Sequence, residues 1–407
     1  MNNTPRGNRL HIAIFGRRNA GKSSLINALT NQDIAVVSDY AGTTTDPVYK
    51  SMEILPIGPV VVIDTAGIDD IGPLGELRVE KSKEVLKKSD LVLLVIDAVE
   101  GITQYEEDLI EECSKRKLPV LTVINKIDQH QLSESEVEEY ANKLYVPVTT
   151  VSALTGQGIS DLKISIIRNA PKGWDDQSII GDLLQPGDVV VLVVPIDLAA
   201  PKGRLILPQV QTIRDILDHD AISVVAKERE LKQTIDNLVS KPKMVITDSQ
   251  AFLKADADTP PDVLLTSFSI LFARYKGDLE SLVAGAKAIE RLQPGDKVLI
   301  AEACSHHRVE DDIGTVKIPR WMRNYVGGEL HFDWVSGTKF PENINDYKLV
   351  LHCGACMINR REMLSRIMQV RESGIPVVNY GVAIAQLHGI LRRALSPFPH
   401  LVEILDQ

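Results

Sequence analysis

The run Gly16-Arg17-Arg18-Asn19-Ala20-Gly21-Lys22-Ser23 fits G-x-x-x-x-G-K-S, a pattern whose chemistry is the binding of phosphate. Its glycines let successive backbone N–H groups curl around phosphate oxygens, and the helix that follows adds its dipole. Lys22 then reaches the β- and γ-phosphates, and Ser23 offers a hydroxyl to Mg2+. Gly16, Asn19, Ala20, Gly21 and Ser24 belong to the same cradle.

Three further patterns follow in chain order. Asp64-Thr65-Ala66-Gly67 supplies a carboxylate that holds Mg2+, through water, and an N–H at Gly67 that senses the γ-phosphate. Asn125-Lys126-Ile127-Asp128 gives base identity, because the Asp128 carboxylate can accept hydrogen bonds from guanine N1–H and the 2-amino group, neither of which adenine offers. Two charged hydrogen bonds give a preference of roughly 10²–10⁴ for guanine over adenine. Ser152-Ala153-Leu154 is placed to brace the base through backbone N–H. Between the first two patterns, Gly42-Thr43-Thr44-Thr45-Asp46 lies where a switch loop belongs, with Thr44 the hydroxyl expected on Mg2+ when γ-phosphate is present. The ligands implied are GTP and GDP with Mg2+.

A second constellation lies late in the chain. Cys304-Ser305-His306 and His352-Cys353-Gly354-Ala355-Cys356 form C-x-H…H-C-x-x-C. Cysteines spaced as in C-x-x-C can chelate one centre, and three thiolates with one variable ligand suit zinc or an iron–sulfur cluster, a redox dithiol being the remaining reading. Cys113 stands apart and reads as an inert buried thiol on a helix.

These groups need elements to hold them. With 407 residues, 44% apolar and 25% charged, the chain is too long for one core and has the make-up of ordinary globular domains. Apolar runs at Leu10–Phe15, Val60–Asp64, Leu91–Asp97, Val120–Asn125 and Val146–Thr150 alternate with amphipathic stretches, the βαβ pattern of a doubly wound, mostly parallel sheet. The phosphate pattern falls where it must, after the first strand and before a helix over Ser24–Leu29. Residues 171–177 read as a linker. Beyond them Leu184-Gln185-Pro186-Gly187-Asp188 and Leu292-Gln293-Pro294-Gly295-Asp296 each lead into an apolar run. Met244–Thr247 before Asp248-Ser249-Gln250 is echoed by Leu349–His352 before Cys353, and Leu264–Gly277 by Val377–Ile390. An internal duplication follows as an expectation: two further α/β domains, of which only the second carries metal ligands. The expected domains are 1–172, 173–285 and 286–407.

A formal charge of −10 argues against nucleic acid as the main ligand, and Arg392-Arg393 read as a solvated helix face. No window is apolar enough for a membrane helix or a secretion signal, so a cytoplasmic location is expected.

Together the nucleotide motifs resemble the TrmE/Era-like branch of GTPases. That resemblance implies a K+ ion at Asn19 in place of an arginine finger. Ile68 stands where Ras-like proteins keep a water-orienting Gln, and Thr45 where the branch commonly has an arginine. Slow intrinsic turnover, within a few orders of magnitude of about 10⁻⁴–10⁻² s⁻¹, is therefore expected. Over its whole length, with C-x-H…H-C-x-x-C included, the chain resembles the [FeFe]-hydrogenase maturation GTPases. The resemblance implies a [4Fe–4S] cluster on Cys304, Cys353 and Cys356, with His306 or His352 as a fourth ligand. It also implies a homodimer formed through the middle domain. In its function a diiron precursor comes from two radical-SAM maturases and is passed to apo-[FeFe]-hydrogenase. The rival reading is an RNA-modification or ribosome-assembly GTPase with a structural metal site.

Overall fold

A computed structural model describes residues 5–30, 47–55, 57–65, 75–171, 178–195, 205–303, 312–337, 340–341 and 343–406. The chain divides into two compact units, Met1–Asp176 and Gln177–Gln407.

The first unit is built on β1 (Leu10–Phe15), β2 (Val48–Ile54), β3 (Gly58–Asp64), β4 (Leu91–Asp97), β5 (Val120–Asn125) and β6 (Val148–Thr150). They line up as β2-β3-β1-β4-β5-β6, parallel throughout except that β2 runs against β3. β1, β4 and β5 are buried along their whole length, as strands covered by helices on both faces must be. Ile12, Leu91 and Leu93 pack on one face, Ala13, Phe15 and Val92 on the other. Cys113 is fully buried in the second of these cores. The five expected strands are present; β3 starts earlier, at Gly58, and β6 later, at Val148. β2 was not expected from the sequence. Because β1, β3, β5 and β6 point the same way, the segments after Phe15, Asp64, Asn125 and Thr150 leave one edge of the sheet, where open α/β sheets bind ligands.

The second unit holds two four-stranded sheets. One is made of β7 (Val189–Val193), β8 (Ile222–Ala226), β9 (Met244–Thr247) and β10 (Leu264–Ser267). The other contains β11 (Lys297–Glu302), β12 (His331–Ser336), β13 (Leu349–His352) and β14 (Val377–Asn379). All pairings are parallel, and with strands numbered by their order in each sheet both read 2-1-3-4. The repeat extends to hydrogen bonds. In the two Gln-Pro-Gly-Asp turns, the Gln185 and Gln293 amides donate to the carboxylates of Asp188 and Asp296 at 2.9 and 2.8 Å. Gly187 and Gly295 adopt φ of 85° and 93°, which glycine tolerates. Their amides donate at 2.8 Å to the backbone carbonyls of Asp220 and Glu329. Each fourth strand then runs into a capped helix: Ser267 accepts from the Ile270 amide at the start of Phe268–Lys276, and Asn379 from the Val382 amide at the start of Tyr380–Leu387. Identical strand order and turn chemistry are what a duplication predicts. One apolar core, from Ile179 to Leu401, runs through both sheets, and a smaller one that includes Val191, Val193, Val245 and Leu265 packs on the other face of the first.

Two close approaches fix this packing. The Asn379 side chain donates to the Ser269 carbonyl at 3.1 Å, tying the two capped helices together. In the helix Leu279–Arg291, a Cβ on Gly285 would stand 2.0 Å from the Val377 carbonyl oxygen. Gly285→Ala should therefore destabilise the unit by about 1–3 kcal/mol, although alanine favours a helix interior by about 1 kcal/mol over glycine. The measurement is the urea midpoint at unchanged slope; a midpoint at or above wild type would mean that the helix lifts off β14 freely. Arg393, expected on a solvated face, instead donates to the Pro260 and Val263 carbonyls at 2.9 and 2.7 Å, while Arg392 pairs with Asp406 at the surface. No helix among the described residues is long and apolar enough to cross a membrane.

Candidate functional site

The phosphate loop connects β1 to the helix Lys22–Thr30. Gly16 has φ of 150° and Gly21 of 91°, and a Cβ on either would strike the Val95 carbonyl or the Asn125 amide, at 2.3 and 2.2 Å. Asn19 also takes a left-handed φ of 63°. Lys22 is buried; its ammonium donates to the Gly16 carbonyl and, at 3.0 Å, to that of Arg17, which poises it over the loop. Ser23, in the first helical turn, donates its hydroxyl to the Asp64 carboxylate at 3.3 Å. The β1–β3 pairing, which sets Ile14 opposite Asp64, brings these two distant residues together. Ser24 lies beside them in the first helical turn, exposed. Thr44 and Gly67 lie outside the described residues.

The base end is assembled from β5 and β6. Asn125 donates to the Ala20 carbonyl at 2.9 Å and accepts from the Ala153 amide at 3.0 Å, so one side chain ties the phosphate loop to the Ser152–Leu154 segment. The Asp128 carboxylate accepts from the Ser152 hydroxyl at 2.5 Å, and Leu154 is exposed. Lys126, at φ of 66°, pairs with Asp97 at 2.7 Å. Although burial opposes it, that bond and the Val99 amide hold the Asp97 carboxyl below its usual range.

One connection escaped sequence reasoning. Arg17 donates to the buried Glu106 carboxylate at 2.9 Å and to the Gly101 carbonyl at 2.6 Å. Glu106 also caps its own helix through the Thr103 amide and hydroxyl at 2.7 Å. The variable second position of the phosphate pattern thus anchors the loop to the segment after β4. The only trace in the sequence is Thr103-x-x-Glu106, a capping-box spacing.

The cysteine loop leaves the carboxyl end of β13. Cys353 is buried and Cys356 half-buried, with Ala355 between them at φ of 51°. The Cys353 sulfur accepts from the Ala303 amide at 3.2 Å. Burial pushes this thiol up, against the Ala303 and Ala355 amides and the charge of Arg366, which favour the thiolate. Cys304 and His306 lie outside the described residues; the strand before them, β11, ends at Glu302, one step past the Ala301–His352 pair. Among the described residues no cluster of three or more His, Cys, Asp or Glu is arranged to hold a metal.

His352, expected with His306 as a possible fourth ligand, has partners at both ring nitrogens. Its ring is buried, with Nδ1 2.8 Å from the Cys353 carbonyl and Nε2 accepting from Arg366 Nε at 2.7 Å. A carbonyl can only accept, so Nδ1 carries the proton and both ring nitrogens are taken. Burial and the Arg366 charge push His352 down to about 3. In this arrangement it orients the loop and offers no lone pair to a metal.

Two buried cations border the loop. Lys276, at the end of the helix Phe268–Lys276, donates to the Cys356 and Ile358 carbonyls at 2.8 and 2.9 Å. Arg366 donates also to the Gly337 carbonyl at 2.6 Å, and its buried Nη2 finds no hydrogen-bond partner among the described residues. Amides aimed at sulfur, buried positive charge and an orphaned donor fit an anionic, thiolate-bound centre.

Comparison with known proteins matches this architecture. Residues 11–126 fit the family model described as a 50S ribosome-binding GTPase. Among curated proteins the chain is 36% identical over 187 residues to GTPase Der of Mycoplasmopsis pulmonis, covering 42% of this chain and 43% of that protein. It is also 36% identical over 166 residues to the tRNA modification GTPase MnmE of Nitrosomonas europaea, covering 40% and 35%. The chain thus spans less than half the length of these relatives. Among solved structures, the G domain of the T. maritima FeoB iron transporter is 26% identical, covers 40% of this chain and 98% of that one, and has a TM-score of 0.33. The remainder matches a different set: residues 179–277 fit the hydrogen maturase F dimerization domain and residues 280–397 its tetramerization domain. These two matches take in more than half of the sequence and sit behind a GTPase domain, so the chain belongs to the HydF family of hydrogenase maturation GTPases.

Proposed function

We propose that the protein hydrolyses GTP with Mg2+ and K+ and is a [4Fe–4S]-binding scaffold in the cytoplasm, which takes a diiron precursor from two radical-SAM maturases and delivers it to apo-[FeFe]-hydrogenase. One observation carries the reading: a phosphate-loop unit precedes both hydrogen maturase F domains, the second of which contains the His352-Cys353-x-x-Cys356 loop. The proposed division is a nucleotide domain over 1–172, a dimerisation domain over 173–285 and a cluster domain over 286–407.

At the nucleotide, Lys22 neutralises β- and γ-phosphate charge while the amides from Gly16 to Ser24 wrap it. Ser23 and Asp64, already within 3.3 Å of each other, share the Mg2+, with Thr44 and Gly67 reporting the γ-phosphate. Asn19 holds K+, and Asn125, Lys126, Asp128 and Ser152–Leu154 hold guanine. At the other site Cys304, Cys353 and Cys356 hold the cluster, with His306 the candidate for its remaining position. Such a cluster supplies an iron to which a second iron centre can be attached. GTP hydrolysis then times partner exchange through loops that differ between the two nucleotide states.

The tRNA-modification and ribosome-assembly readings draw support only from relatives of the first unit and leave the cysteine loop without a role. The test is anaerobic reconstitution, with iron, sulfide and zinc analysis and EPR of the reduced protein. Wild type should hold close to one cluster per chain and Cys353→Ser should lose it. A zinc-containing, EPR-silent wild type would sink the scaffold reading, and a monomer by light scattering would sink the homodimer.

A further inference from the structure

Lys276 is 2% exposed, and among the described residues no carboxylate pairs with its ammonium, whose bonds go to the carbonyls of Cys356 and Ile358. A buried ammonium that lacks a counter-ion is unfavourable and is retained where something anionic faces it. Burial lowers Lys276 to about 8, and the neighbouring Cys356 works in the opposite direction. The helix it ends carries Phe268, Phe272 and Lys276 at intervals of four, so the cation continues an apolar stripe into the core.

The contact is reciprocal. Arg360, just past the cysteine loop, donates to the Tyr275 and Gly277 carbonyls at 2.8 and 3.2 Å. Lys276 belongs to the stretch matched by the dimerization domain and the loop to the stretch matched by the tetramerization domain. A charge from the first repeat is therefore sunk beneath the cysteines of the second.

We infer that Lys276 is the counter-charge of the cysteine-bound centre: it pins the loop by the Cys356 and Ile358 carbonyls and sets the reduction potential of the cluster held there. This rests on the scaffold reading above. Three thiolates outweigh the two positive charges of an oxidised [4Fe–4S] core, and one-electron reduction adds another negative charge, so a fixed ammonium stabilises the reduced form more than the oxidised one. Lys276 is a positioning residue, since it touches the loop backbone and not the metal.

The experiment is a dithionite redox titration of the reconstituted full-length protein, followed by the EPR signal of the reduced cluster. Lys276→Met should keep its iron but titrate at a more negative midpoint than wild type. Lys276→Arg should stay close to wild type, as should Lys254→Met, which removes an exposed lysine paired with Asp258. An unchanged midpoint in Lys276→Met overturns the inference. Should Lys276→Met take up no cluster, Lys276→Arg decides: cluster uptake there supports a requirement for charge, and an empty but folded Lys276→Arg overturns it. If wild type itself assembles no cluster, the scaffold reading fails and not this one alone.

Discussion

Lys22→Ala should lower GTP hydrolysis by at least about 10²–10³-fold while leaving the iron content of the reconstituted protein as in wild type. The ammonium is held over the loop by the Gly16 and Arg17 carbonyls, where on the proposed reading it meets charge that develops on the β–γ bridge, and Arg17 is committed to Glu106. The fold should survive, because the helix Lys22–Thr30 is anchored by Leu25, Ile26 and Leu29 and not by the lysine. Iron should be unaffected, because the cysteine loop lies in a separate compact unit. Hydrolysis is read by phosphate release, folding by thermal unfolding and iron by chemical analysis. A parallel fall in iron content would refute the independence of the two sites, and retained hydrolysis would remove Lys22 from the chemistry.

What could be read from the sequence has a physical pattern. Strands covered on both faces are written as unbroken Val, Ile and Leu, and β1, β4, β5, β9 and β13 have the expected bounds. The three strands that sequence reasoning did not find, β2, β8 and β12, each lie at the edge of a sheet. There one side of the strand meets solvent or a loop, and sequences such as Val48-Tyr49-Lys50-Ser51 and His331-Phe332-Asp333-Trp334 carry too few apolar residues to stand out. The likeness of the two sheets was legible because its marker is a tight turn, where Gly187 and Gly295 must take positive φ and the neighbouring Asp closes the turn.

Site residues divide in the same way. The nucleotide motifs and the cysteines are local patterns in which spacing alone specifies chemistry. Arg17–Glu106, His352–Arg366 and Lys276–Cys356 are pairings between different elements of the chain, and apart from the Thr103-x-x-Glu106 spacing a single sequence holds no signal for them beyond a charged residue on a buried face. His352 shows the limit most clearly. Its place beside Cys353 made it a candidate ligand, and only the Arg366 side chain from the helix Arg360–Glu372 reveals that its second nitrogen is occupied.

Asp128→Asn should move base preference away from guanine. A carboxylate accepts from both guanine N1–H and the 2-amino group, whereas an asparagine amide presents one acceptor and one donor, so the donor now faces a donor. Loss of one charged hydrogen bond and conversion of the other to a neutral one removes roughly 3–6 kcal/mol at most, an affinity loss of about 10²–10⁴-fold for GDP. Xanthine has a carbonyl where guanine has the 2-amino group, and the new amide donor matches it, so XDP should gain what GDP loses. The substitution is close to isosteric, and the loop around it should hold: Asn125 still joins Ala20 to Ala153, Lys126 still pairs with Asp97, and the Ser152 hydroxyl that donates to Asp128 finds the asparagine carbonyl instead. Fluorescent-nucleotide titrations with GDP and XDP on wild type and variant measure both arms. Undiminished GDP binding in the variant would mean that the base is read elsewhere, and weak binding of both nucleotides would mean that Asp128 holds the loop together and does not choose the base.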